Sequence, residues 1–165
     1  MVSNSLYDLL VSSLTLLYAA QREMLRVLPR VISEVSCAEL REVLLSYIGA
    51  IETRVERLES AARVLSFPMA SGANSGVNGL IRDLTKIAKR RGEIGVVDVA
   101  LMAALRQIEF CEISSYETAR SIAEVLGEGE VSQLFEENLR EEEGMERFLT
   151  VLSEELIDDH GSRRV

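Results

Sequence analysis

The chain has 165 residues, 47% of them apolar and 27% charged, with a net charge of −9. That is enough for one domain with a sizeable core and too little for two, and the apolar share excludes an extended disordered chain. The acidic balance argues against nucleic-acid binding, which needs a basic face, and no apolar run reaches the roughly 18 residues of a membrane span.

The first long periodic segment runs from about Ser5 to Glu34, with "SNS" offering N-cap side chains and Tyr7, Leu10, Leu14, Leu17, Leu25 and Leu28 on one stripe. Gln21 falls in the middle of that stripe, and Pro29 predicts a kink or a break. Asp8 and the absence of a basic start separate this segment from a signal peptide, so it reads as the first core helix of a cytoplasmic protein. The second helix is predicted over about Ala38–Leu65, with Leu40, Leu44, Tyr47, Ile51, Val55 and Leu58 on its stripe and Arg54 beside it. The stretch "SFPMASGANSG" breaks the pattern, and a short amphipathic helix follows over about Val77–Arg90. Its "KIAKRR" run suits a helix C-terminus better than a nucleic-acid patch.

The third long helix is predicted over about Val96–Leu126, closed by Gly127, and the fourth over about Glu130–Ile157. Residues 158–165 read as a frayed tail outside a single domain of residues 1–157. Four long helices with one apolar stripe each predict an all-α four-helix bundle, and the single long crossover between the second and third is the ferritin-like variant. Cys37 and Cys111 have no metal-ligand spacing, and their pairing stays open.

Glu109 and Glu112 on the third long helix and Glu142 on the fourth lie on core stripes, with Glu146 one turn beyond Glu142. Burying an unpaired carboxylate costs several kcal/mol, roughly, so such a group needs a cation or a proton. A single core-stripe glutamate usually reaches water at a bundle edge; three of them, beside Tyr116 and Asn138, call for another explanation. The lone histidine, His160, lies in the tail, which leaves no His-based catalytic or metal constellation within one chain.

The segments "LYAAQREMLRVLP", "VERLE", "DVALMAALRQIEFCEISSYETARSIAEVLG" and "LREEEGMERFL" resemble the YciE/YciF-type ferritin-like family over about Leu6–Leu156. The resemblance implies a stress-associated, dimeric helical bundle with a centre of two iron or manganese ions. It maps Glu109, Glu112, Glu142 and Glu146 onto acids of that centre. The rest of the cage departs from the family pattern. Gln21 stands where the family has Glu, and Tyr47, Ala50 and Arg54 stand where it has His, Glu and Gln or His. A guanidinium is always charged and cannot ligate a metal, whereas it forks readily onto a carboxylate.

The residues therefore predict that Arg54 takes the place of the metal, with Gln21 and Tyr47 completing a hydrogen-bonded network. Two function classes follow. One is a noncatalytic assembly or partner-binding bundle. The other is a di-iron or di-manganese metalloprotein with oxidase or peroxide-handling activity.

Overall fold

In the computed structural model, which describes residues 5–69, 72, 74–93 and 95–162, all regular structure is helical. The Ser5 side chain accepts the Asp8 N–H at 3.1 Å, and α1 then runs Leu6–Glu34. Pro29 does not break it. A proline removes the ladder bond to the carbonyl four residues back, but Val27, Leu28, Val31 and Ile32 on either side are buried, and their packing carries the helix through. Helix α2 spans Ala38–Val64. Its start is fixed by a distant residue, Asp98, whose carboxylate accepts Ser36 N–H at 3.0 Å, Ser36 Oγ at 2.7 Å and Cys37 N–H at 2.7 Å.

Ser66 follows α2 with φ 51°, in the left-handed region, while its N–H reaches the Arg63 carbonyl and the Phe67 N–H reaches that of Ala62. The same pair of bonds closes α4 (Val96–Val125) around Gly127 at φ 78°, the glycine cap that the sequence predicts. Between them lies α3 (Ser75–Ala88), capped by Asn74, which accepts Val77 N–H at 3.2 Å. It starts and ends two residues before the expected bounds. Helix α5 spans Gly129–Ser162, past the end expected at Ile157. The side chain of His160 and residues 163–165 lie outside the described residues.

Helix α1 packs on α2 and α4, α5 packs on α4 and α2, and α3 rests across α1 and α4. This is the expected ferritin-like bundle, its long crossover carrying the extra helix. The core falls into two apolar clusters. One gathers Met24, Leu28, Leu44, Ile51, Leu105 and Leu149 under Val77, Ile81 and Leu84 of α3. The other gathers Leu14, Leu58, Tyr116, Ala119 and Phe135. Each long helix passes from one cluster to the other, and at each crossing it buries a polar side chain: Gln21 on α1, Arg54 on α2, Glu109 and Glu112 on α4, Glu142 on α5.

Candidate functional site: a buried polar layer

Helical spacing puts Tyr47 and Arg54 two turns apart on one face of α2, and Glu109, Glu112 and Tyr116 on one face of α4. All meet Gln21 and Glu142 in the layer between the two apolar clusters. Arg54 is 1% exposed, and its Nη1 donates to Glu142 Oε1 at 2.6 Å and to the Tyr47 hydroxyl at 3.2 Å. The guanidinium lies over the Tyr47 ring, 4.8 Å from its centroid. Gln21 Nε2 donates to Glu142 Oε1 at 2.7 Å and to Glu112 Oε2 at 3.0 Å. The Tyr47 hydroxyl donates to Glu109 Oε1 at 2.6 Å and stands 3.2 Å from Glu142 Oε2.

Burial and the Glu142 carboxylate push Glu109 and Glu112 well above the usual carboxylate range. Burial, the largest influence, also acts on Glu142 in that direction, but Arg54 and hydrogen bonds from Glu109, Gln21 and Glu112 reverse it, leaving Glu142 below its ordinary value. Burial alone would lower the Arg54 value; Glu142, Tyr47 and Glu109 raise it well above the ordinary one. Burial next to Glu109 and Glu142 raises Tyr47, which stays a phenol.

The layer extends to the surface between α2 and α5. Arg54 Nε donates to Glu141 Oε2 at 3.1 Å, and Arg57 Nη1 donates to Glu141 Oε1 at 2.7 Å and to Asn138 Oδ1 at 3.1 Å. Asn138 Nδ2 in turn donates to the Arg54 carbonyl at 3.3 Å and to the Tyr116 hydroxyl at 3.2 Å. Arg57 and Glu141 escape a reading of core stripes because both are partly exposed. The available signal is their spacing, Arg57 one turn after Arg54 and Glu141 one turn after Glu137.

Six of the seven expected site residues come together: Gln21, Tyr47, Arg54, Glu109, Glu112 and Glu142. Glu146 does not join them. Arg106 of α4 holds it at 3.0 Å, and Thr150 donates to it at 2.6 Å. Cys37 and Cys111 are both free thiols.

These residues do not fit a pair of bivalent ions. Glu142 is committed to a guanidinium that can only donate, Tyr47 stays protonated, and Gln21 turns its nitrogen toward the acids. Among the described residues no group of three or more His, Cys, Asp or Glu is set to hold a metal ion.

Residues 5–161 match the family described as domain of unknown function DUF892. Protein YciF of Escherichia coli (strain K12) is 26% identical over 147 residues, which cover 88% of this chain and 89% of that protein. The crystal structure of the E. coli stress protein YciF matches with a TM-score of 0.90 at 24% identity, covering 94% of this chain and 99% of that one. YcfI of Rhodopseudomonas palustris, proposed as a structural protein, matches with a TM-score of 0.85 at 26% identity, over 89% of this chain and 94% of that one. The chain belongs to the DUF892 family, of the YciE/YciF type that its sequence resembles.

Proposed function

We propose that this bundle is a noncatalytic, stress-associated assembly protein of the cytoplasm whose interior is balanced by Arg54 in place of metal ions. One observation carries the reading: the buried guanidinium lies 2.6 Å from Glu142 Oε1, where a bound cation would be needed. A fixed positive charge there repels an incoming bivalent ion and removes the open positions that oxygen chemistry requires. The relatives agree in kind, one being named a stress protein and another proposed as structural.

The partner is a second copy of the chain. Leu6, Leu9 and Leu16 on α1 and Phe110 and Val125 on α4 are exposed, and Leu6 and Val125 line one surface groove with Ile122. Residues 9–20 carry no charge, so the α1 side of this face adds no like-charge repulsion between two acidic chains, while Glu117 of α4 lines the groove. Light scattering should give twice the chain mass for the wild type and a lighter species for Phe110→Glu. An unchanged mass in that variant, or a monomeric wild type, argues against this contact.

A second reading keeps the metalloprotein. Glu109 Oε2, Glu112 Oε1 and Gln21 Oε1 are buried without hydrogen-bond partners, and three such oxygens leave room for a single iron or manganese ion even where a pair does not fit. Expression in iron- and manganese-supplemented medium followed by metal analysis and a peroxide-consumption assay separates the two. The first reading expects far less than one metal ion per chain and no turnover; stoichiometric iron with peroxide consumption establishes the second.

A further inference from the structure

Outside the buried layer, α1 carries a second polar group on its surface. Tyr18, Arg22 and Arg26 follow one another at four-residue spacing and so share one face of the helix. The crossover after α2 and the start of α3 stand beside that face, bringing Met69, Gly72 and Asn78 to it. Gly72 permits the close approach: a Cβ there would lie 2.6 Å from Thr15 Cγ2. Between these walls is a surface pocket of about 580 Å³, within the range that takes a molecule of nucleotide size.

The polar groups of this pocket are unevenly committed. Arg26 forks onto Glu23 at 2.9 and 2.5 Å, but its side chain is 70% exposed, and surface pairs of this kind contribute little. Arg22 is exposed and has no hydrogen bond or ion pair among the described residues. The charged side chains lining the pocket are these two arginines and one acid, Glu23. The Tyr18 hydroxyl donates to Glu59 Oε1 of α2 at 3.1 Å, which fixes the ring in the wall. On the α3 side, Asn78 Oδ1 is buried and accepts no hydrogen bond. An unmatched buried acceptor is costly, and a molecule that brings an N–H or O–H to it removes that cost.

We propose that this pocket binds a nucleoside monophosphate, its phosphate on Arg22 and Arg26 and a donor of its nucleoside on Asn78 Oδ1. A phosphate monoester suits the arginines because its second charge recruits Arg26 from an exposed partner at little expense. Tyr18 and Met69 give the flat base apolar cover. A single nucleotide needs only this local positive charge, not the basic face that a nucleic-acid polymer requires.

The test is titration calorimetry of the full-length protein with adenosine, guanosine, cytidine and uridine monophosphates in turn, and with inorganic phosphate and the matching nucleosides. At least one monophosphate should bind at one molecule per chain, more tightly than inorganic phosphate or its own nucleoside. Arg22→Ala should weaken it about tenfold, and Arg30→Ala, which removes the same charge from α1 outside the pocket, should leave it unchanged. Asn78→Ala should weaken the monophosphate several-fold and leave inorganic phosphate unaffected. Thermal melts should show both pocket variants folded, since neither side chain has a printed role in packing the core. No binding of any monophosphate at millimolar concentration, or equal losses in Arg22→Ala and Arg30→Ala, overturns the proposal. Inorganic phosphate binding as tightly as the best monophosphate reduces the pocket to a bare anion site and overturns it too. None of these readouts involves the buried layer, so the proposal stands or falls apart from the metal-free reading.

Discussion

Arg54 is held from every side. Its Nε meets Glu141, its Nη1 meets Glu142 and the Tyr47 hydroxyl, its plane covers the Tyr47 ring, and its carbonyl accepts from Asn138. A buried charge pair tolerates the loss of both partners better than the loss of one. Arg54→Met should therefore cost about 3–5 kcal/mol in urea unfolding, while Arg54→Met combined with Glu142→Leu should recover most of it. A double variant as unstable as the single one contradicts this. The pH dependence has two limbs. Glu142 is depressed in the folded state, so its contribution is complete above the ordinary carboxylate range and is lost as pH falls through its folded value. Glu109 and Glu112 are raised, so theirs is complete below the ordinary range and is lost as pH rises toward their folded values. Above the ordinary carboxylate range stability should therefore fall as pH rises toward those folded values. Urea midpoints across this interval should show a shallower slope in the Glu109→Gln/Glu112→Gln double variant; parallel slopes would contradict it.

At the scale of the helices, the ends are set by particular residues, and not all of them are legible in the sequence. Gly127 is legible because glycine alone enters the left-handed region freely. Ser66 occupies the equivalent position after α2 with φ 51°, and nothing in the sequence marks a serine for that conformation. Ser66→Gly should raise stability by about 0.5–1 kcal/mol, measured by urea unfolding; a loss would show that the serine side chain contributes more than the backbone strain removes. Asp98 is a tertiary staple: it serves the turn before α2 from the first turn of α4, and no local pattern links positions so far apart. Asp98→Ala leaves two backbone N–H groups without that acceptor and should cost about 1–3 kcal/mol. Glu146 shows the same limit. Its periodicity on α5 is that of a core acid, yet the register of α4 against α5 brings Arg106 to it and draws it out of the layer.

The whole molecule is a bundle whose core is interrupted by one polar storey. The periodicity of four long segments and the single long crossover make the fold legible, because each stripe must be buried against another. The composition of the storey is legible too, since Gln21, Glu109, Glu112 and Glu142 sit on apolar stripes and Arg54 lies beside one. Its wiring is not. Which oxygen receives which donor depends on side-chain directions that only the packed helices determine. The most direct test of Arg54 as the resident cation is an anomalous-scattering map from crystals grown with iron or manganese. It should show no peak among Glu109, Glu112 and Glu142, and the guanidinium density should meet Glu142. A strong peak bridging α4 and α5, with Arg54 turned toward solvent, would contradict the account.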